Sequence, residues 1–461
     1  MNKKYKSLIK DMFVFAVGGI GSKLILFFLV PLYTNFLSTE EYGIADLVFT
    51  VAQLIVPIVS IVIFDAVLRF ALAKDERKED VLLSGYIVFG VGACLTICVT
   101  PLLRLYPLLS EWKWYLCLYV ILTILSNIEL NYIKAKEKNA LYSTISIIQT
   151  LVMALGNVVL LVVLRWGIQG YLLANIAGMV VSGAGIFIFG KLWEDMRVAK
   201  FSFPLLKKMI KYSMPLILNN ISWWIIHSSD KIMIELMIGA SMLGIYTVAT
   251  KLPSLVNVFI GIFSQAWGVS STKEIEGEAD KKFYSKVLNM YSFVVFSAAI
   301  CIIAIIKPFM RIYVGVDFLD AWNLVPLLLV SAVFSAISSY FGSMYGALKK
   351  PVNVTVTTLI AAGINIIVNF LLIPKMGVLG AVIGTVAAYV MIAFLRMFDI
   401  LRYIKLKIAW DKLIINSIII LTQAILVSLD IYGYIISVAS ICVFIAVNFS
   451  TIKQMIKKEE S

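Results

Sequence analysis

The feature that most constrains this chain is a succession of apolar runs. Each is about 20 residues long, enough for a helix to cross the ~30 Å hydrocarbon core of a bilayer. Fourteen can be marked. They are Leu8–Phe36, Gly43–Leu72, Val81–Leu103, Trp112–Ile133, Leu141–Leu164, Ile168–Gly190, Met209–Glu235, Ser241–Val269, Phe283–Ile306, Ala321–Leu348, Val352–Ile373, Val378–Tyr403, Leu413–Ser428 and Ile431–Phe449. Soluble proteins are near half apolar, whereas 61% of these 461 residues are hydrophobic. The runs do not alternate polar with apolar residues, which argues against a β-barrel. The expected fold is an all-α integral membrane protein with about 14 transmembrane helices. Pro57, Pro215, Pro253 and Pro326 fall within or at the start of runs. Kinks there are tolerated where neighbouring helices resatisfy the backbone.

The net charge of +13 invites a nucleic-acid reading. Its distribution speaks for a membrane instead. With a cytoplasmic N-terminus, the cytoplasmic segments gather about thirty of the Lys and Arg residues, as the positive-inside rule requires. They include Lys74 to Lys78, Lys134 to Lys138, Lys191 to Lys211, Lys349 and Lys350, and Arg396 to Lys412. The other side holds Arg104, Lys113, Arg165, Lys307, Arg311 and Lys375. Both termini are therefore expected in the cytoplasm, and no nucleic-acid partner is expected. The loops are short, leaving no room for a soluble catalytic domain. Cys94, Cys98, Cys117, Cys301 and Cys442 lie in apolar runs with no further ligand nearby, so neither a zinc site nor a cofactor is expected. No small-residue cleavage pattern follows the basic N-terminus, so the first helix is read as retained.

Two short motifs recur about 200 residues apart, pointing to parallel internal repeats. Leu37-Ser-Thr-Glu-Glu-Tyr-Gly43-Ile44 after the first run resembles Ile238-Gly-Ala-Ser-Met-Leu-Gly244-Ile245 after the seventh. Gly167-Ile-Gln-Gly170 before the sixth resembles Gly377-Val-Leu-Gly380 before the twelfth. Residues 1–200 are thus expected to form one six-helix lobe and 201–408 a second. Residues 409–461 would add two C-terminal helices and a tail. A site between lobes, opening alternately to each side, follows from that arrangement.

Charges inside the runs are costly and mark functional positions, at about 2.5–3.5 kcal/mol for a mid-bilayer Lys or Arg. Lys23 follows Gly18, Gly19 and Gly21 near the middle of the first run, and Lys251 precedes Pro253 in the eighth. Each either lines a cavity or, for Lys23, snorkels along a glycine groove. Asp65 and Arg69 are spaced to pair on one helix face. Asp46 and Glu129 lie near the ends of their runs, where Glu129 is expected to be solvated. The stretch Tyr212–Glu235 is long enough to span yet carries a polar stripe. Asn220, Trp224, His227 and Lys231 share one face, with Trp223 and Glu235 at its edges and isoleucines behind. Asn219 and Asp230 lie on the same helix; Asp230 and Lys231 either contact cargo or anchor at the interface. His227, the chain's single histidine, is either a structural hydrogen-bonding residue or a proton relay.

The run Tyr212–Phe259 resembles the polysaccharide (O-antigen, Wzx-type) flippases of the multidrug/oligosaccharidyl-lipid/polysaccharide exporter superfamily. Their pattern S-x-P-L…N-x-I-x-W-W…S-D-[KR]…G…G-x-Y-x-x-A-x-K is met by Ser213, Pro215, Leu216, Asn219, Trp223, Trp224, Ser229, Asp230, Lys231, Gly239, Gly244, Tyr246, Ala249 and Lys251. Leu29–Leu47 is similar to that family's turn after its first helix. The resemblance implies two six-helix lobes in a V around a basic cavity. It also implies a bacterial cytoplasmic-membrane protein that is no enzyme. The implied cargo is an undecaprenyl-diphosphate-linked oligosaccharide, moved to the outer leaflet by alternating access for O-antigen, capsule or exopolysaccharide. Lys23, Asp46, Arg69, Asn219, Asn220, Trp223, Trp224, Asp230, Lys231 and Lys251 are then candidates for the cavity, and His227 and Asp65 for proton or sodium coupling. By similarity to peptidoglycan lipid flippases, the last two helices would guide the lipid tail. A polysaccharide polymerase is a further partner implied by the pathway. The rival within the superfamily is a cation-coupled multidrug antiporter, and the rival outside it a membrane polymerase or ligase.

Overall fold

The computed structural model describes residue 21 and residues 23–73, 75–276, 281–348, 350–404 and 406–456. Among them the chain is helical throughout, joined by turns, with no β-strand. Among the described residues, eleven helices are long and apolar enough to cross a membrane, or twelve if one bent pair counts as a single span. The figure of fourteen apolar runs is therefore approximate. Much of the first run lies outside the described residues, leaving α1, Lys23–Phe36. The seventh run forms α9, Phe203–Met237, whose 35 residues exceed a bilayer's thickness. Its Asn, His, Ser and Asp residues dilute its hydropathy below that of the others. A helix of that composition needs protein or water along its polar face.

The chain divides into two compact units, residues 1–224 and 225–461, with the boundary inside α9. Unit 1 contains α1, α2 (Thr39–Val59), α3 (Ile63–Ala71), α4 (Lys78–Val99), α5 (Lys113–Ala135), α6 (Asn139–Asn157), α7 (Gly167–Phe189), the short α8 (Leu192–Val198) and the start of α9. α7 packs on α5 and α6, and α5 also meets α2, α3 and α4. The second apolar run is not one helix. Pro57 lies near the end of α2, and Ile61 and Val62 both take φ 52° before α3 begins. Such conformations are strained for β-branched residues. Ser60 steadies the turn, donating to the Val56 carbonyl at 2.7 Å and accepting from the Val62 amide at 3.2 Å.

Unit 2 contains the rest of α9, α10 (Ala240–Ala249), α11 (Lys251–Glu276), α12 (Lys281–Tyr313), α13 (Val325–Ala347), α14 (Pro351–Met376), α15 (Val378–Tyr403), α16 (Trp410–Ser428) and α17 (Gly433–Ile456). α13, flanked by α11 and α15, is its most buried span, at 78%. α16 and α17 pair and pack on α12 and α13.

The two motif pairs found in the sequence fall at helix starts. Ser38 caps α2 through a reciprocal capping box with Glu41, at 3.1 and 2.9 Å. Gly239, at φ 119°, opens α10 without a side-chain cap. Gly167 and Gly377 start α7 and α15 at φ 54° and 61°. Glycine adopts that conformation without the steric cost a Cβ brings.

Candidate functional site

The polar stripe of α9 runs through both units. In unit 1, the Trp224 indole donates to the Thr50 carbonyl of α2 at 2.9 Å. Trp224 thereby fixes α9 to α2 rather than offering a free ring edge. Asn220 donates to the Leu216 carbonyl at 3.0 Å, and Asn219 is half-buried. Trp223 is 36% exposed. Lys23 is exposed at the start of α1, and Asp46 is half-buried on α2 within electrostatic reach of Tyr171. Asp65 and Arg69 share α3 but do not close an ion pair. Arg69 points outward, and the cationic charge felt at Asp65 is that of Lys134 on α5.

In unit 2 the stripe meets a dense polar knot. Asp230 is 3% exposed, so it is no interfacial anchor. Its carboxylate accepts from the Tyr246 hydroxyl of α10, from Thr385 Oγ1 of α15 at 3.2 Å, and from the Lys231 amide at 3.0 Å. Beside it, Ser229 donates to Asn365 Oδ1 of α14 at 3.0 Å, and Asn369 Nδ2 donates to the same oxygen at 3.2 Å. Asn365 and Asn369 are fully buried. Asn369 Oδ1 and Asn365 Nδ2 have no hydrogen-bond partner among the described residues. A Cβ on Gly384, the residue before Thr385, would come within 1.9 Å of Asn369 Oδ1. Glycine at 384 is thus a requirement of the knot.

Oxygen donors dominate this cluster. Such a set suits a proton or a hard monovalent cation and does not suit a thiophilic metal. Among the described residues, no group of three or more His, Cys, Asp or Glu residues is arranged for a metal ion. One turn before Asp230 on α9, the exposed His227 brings Nδ1 to 3.0 Å from the Tyr389 hydroxyl of α15. Lys231 and Lys251 are half-buried. Lys251 stands immediately after a 43° bend between α10 and α11, where Pro253 follows. The bend carries Lys251 on a break in the span rather than in a continuous helix.

Sequence reasoning missed four buried polar residues, Arg396, Glu129, Asn365 and Asn369. Arg396 sits inside α15, 3% exposed, and not in a loop. Its guanidinium donates to Thr357 and Thr358 of α14 at 3.2 and 3.0 Å, and to the Ser338 carbonyl and hydroxyl of α13 at 3.3 and 3.1 Å. All four acceptors are neutral. A Cβ on Gly342 would meet Arg396 Nη1 at 2.6 Å, so this glycine makes room for the cation. Glu129 is 1% exposed rather than solvated, because Tyr86 and α7 cover it. Asn365 and Asn369, spaced one turn apart in an apolar run, were the sequence signal for the knot.

Comparison with known proteins supplies the family context. The family model described as "Polysaccharide biosynthesis protein" matches residues 8–268. The chain is 22% identical over 370 residues to the uncharacterized membrane protein EpsK of Bacillus subtilis, covering 74% of this chain and 72% of EpsK. It is 21% identical over 311 residues to the "Probable low-salt glycan biosynthesis flippase Agl15" of Haloferax volcanii, covering 66% of this chain. The match spans just under two thirds, 64%, of that relative's length. The fold matches the lipid II flippase MurJ in an inward closed conformation, with TM-score 0.70 and 14% identity, over 95% of this chain and 99% of that one. It also matches an inward-facing multidrug resistance MATE family transporter of the MOP superfamily, with TM-score 0.70 and 15% identity, over 84% and 94% of the two chains.

Proposed function

Because this chain belongs to the polysaccharide biosynthesis protein family, we propose that it is a flippase for an undecaprenyl-diphosphate-linked oligosaccharide, working in a bacterial cytoplasmic membrane with both termini in the cytoplasm. The observation that carries the reading is the family match, which covers more than half of the chain. The fold shared with a lipid II flippase over 95% of the chain supports it. A diphosphate does not cross hydrocarbon unaided. Cations in a shielded site replace its hydration, and Lys23 and Lys251 are the residues for that task. Arg69 and Lys231 add to the positive field. Asn219, Asn220 and Trp223 offer hydrogen bonds and a ring face to sugars. Asp46 acts as the acidic counterpart on α2. The lobes are taken as residues 1–200 and 201–408, with residues 409–461 adding the final helix pair beside which the lipid tail travels.

The Asp230 knot is the better candidate for coupling than for cargo, since its carboxylate is buried and already holds hydroxyl donors. A proton or sodium ion bound there would balance the carboxylate and draw α9, α10, α14 and α15 together. His227 and Asp65 are secondary coupling candidates. With the cell interior negative, two negative charges moved outward gain about 4–5 kcal/mol per 100 mV, which favours export. A polysaccharide polymerase would consume the flipped product, and no step of this cycle calls on enzyme chemistry in the chain itself.

The similarity to a multidrug transporter keeps a second cargo in view, a soluble organic cation. Purified protein in liposomes separates the two. The account expects transfer of a fluorescent polyprenyl-diphosphate oligosaccharide between leaflets, read by an impermeant quencher, and no uptake of a drug cation. Drug uptake without lipid transfer would reverse the assignment.

A further inference from the structure

Away from the α9 stripe, unit 1 holds a carboxylate that the transport reading does not use. Glu129 of α5 lines a groove of about 620 Å³ together with Tyr86 and Phe89 of α4, Gly183 and Phe187 of α7, and Met196 of α8. Tyr86 donates its hydroxyl to Glu129 Oε1 at 2.7 Å, which fixes the orientation of the carboxyl group. Oε2 is buried and has no hydrogen-bond partner among the described residues. The groove passes over Gly183, where an added Cβ would lie 3.5 Å from Oε2.

An orphaned carboxyl oxygen is costly in a low-dielectric setting. The protein alone satisfies neither form of the group: a carboxylate lacks a donor at Oε2, and a proton placed on Oε2 would lack an acceptor. A hard metal ion requires about six oxygens, and this wall supplies a carboxyl and a phenol. A primary ammonium supplies the missing charge and N–H donors, and its carbon frame can lie on Phe89 and Phe187. Phe187 and Ile188 are exposed on the surface of a spanning helix, so the mouth is apolar and accessible from lipid. Lys134, in the last turn of α5, and Lys136, just past its end, follow Glu129 within two turns. Glu129 therefore sits close below headgroup depth at the lysine-rich end of the unit.

We propose that this groove binds the primary ammonium headgroup of an aminophospholipid, with Glu129 Oε2 as the acceptor. The site is independent of the cargo reading above. The test is native mass spectrometry of the full-length protein, purified in detergent and offered phosphatidylethanolamine, phosphatidylcholine or phosphatidylglycerol. Phosphatidylethanolamine should be retained about tenfold more tightly than the other two, the scale of one charge-assisted hydrogen bond. Glu129→Gln keeps the shape and the Tyr86 contact but should erase that preference without lowering the melting temperature. Gly183→Leu, which fills the groove from the opposite helix, should erase it as well. Equal retention of all three lipids by the native protein would overturn the proposal. So would an unchanged preference in both variants, or displacement by dodecylamine at a site showing no lipid preference, which would mark a free-amine pocket.

Discussion

Thr385 Oγ1 lies 3.2 Å from Asp230 Oδ2, joining α15 to α9 at a carboxylate that also receives the Tyr246 hydroxyl. Two helices far apart in sequence thus converge on one buried charge. Whatever neutralises that charge also governs how α9 and α15 pack, which makes it a natural coupling point between ion binding and helix movement. Asp230→Asn preserves the shape and removes the charge. Glycan export should fall by at least tenfold at normal protein level, and the dependence of transport on sodium or pH should disappear. Cation-dependent flipping that persists in liposomes would remove Asp230 from the coupling role.

Gly384 tests the same knot through packing. A methyl group there cannot coexist with Asn369 Oδ1 at 1.9 Å, so Asn369 must rotate or α14 must move away. Gly384→Ala should lower thermal stability by roughly 1–3 kcal/mol, the usual cost of overpacking. It should weaken cation stimulation in parallel. A thermal melt with and without sodium reads both effects.

The cationic residues of the cargo path are tested by charge retention. Lys23→Ala and Lys251→Ala should abolish export at normal protein level, while the corresponding arginine variants keep much of it. The comparison works because arginine preserves the charge needed by a diphosphate while changing the shape of the head. Normal export by both alanine variants would end the cationic-cavity idea.

Arg396 should behave as a structural residue. It binds hydroxyls and a carbonyl from α13 and α14, and Gly342 clears its space. Removing it leaves a void and severs four hydrogen bonds. Arg396→Ala should therefore destabilise the protein by at least about 1–3 kcal/mol, the cost of leaving a buried acceptor unsatisfied, with transport falling in proportion to folded protein. Arg396→Lys should rescue little, since one ammonium cannot span acceptors on two helices. Circular dichroism melts compared with export per folded molecule separate this from a direct cargo role.

Much of the fold was legible because a bilayer restricts backbone options so severely. Apolar runs of spanning length gave the helices, and the repeated Gly-x-x-Gly motifs fall at helix starts, where Gly167 and Gly377 take positive φ. The break between α2 and α3 was harder, because Ile61 and Val62 are residues that ordinarily avoid positive φ. The site was only half legible. Hydropathy singles out charges, so Asp230 and Lys251 stood out on α9 and α11. Asn365, Asn369 and Thr385 did not, because single amides and hydroxyls are common in membrane helices and become a cluster only when the helices pack. Arg396 and Glu129 were missed for a related reason. Each lies near enough to the end of an apolar run to pass as solvated, and only the covering helices reveal that it is buried.

The central claim is transfer of a lipid-linked glycan between leaflets, and deletion of the gene followed by leaflet-resolved analysis of that glycan tests it most directly. Completed repeat units labelled by membrane-impermeant reagents should vanish from the outer face and accumulate on the cytoplasmic face. Repeat units that still reach the outer face but remain unpolymerised would contradict the flippase account and point to a polymerase or ligase.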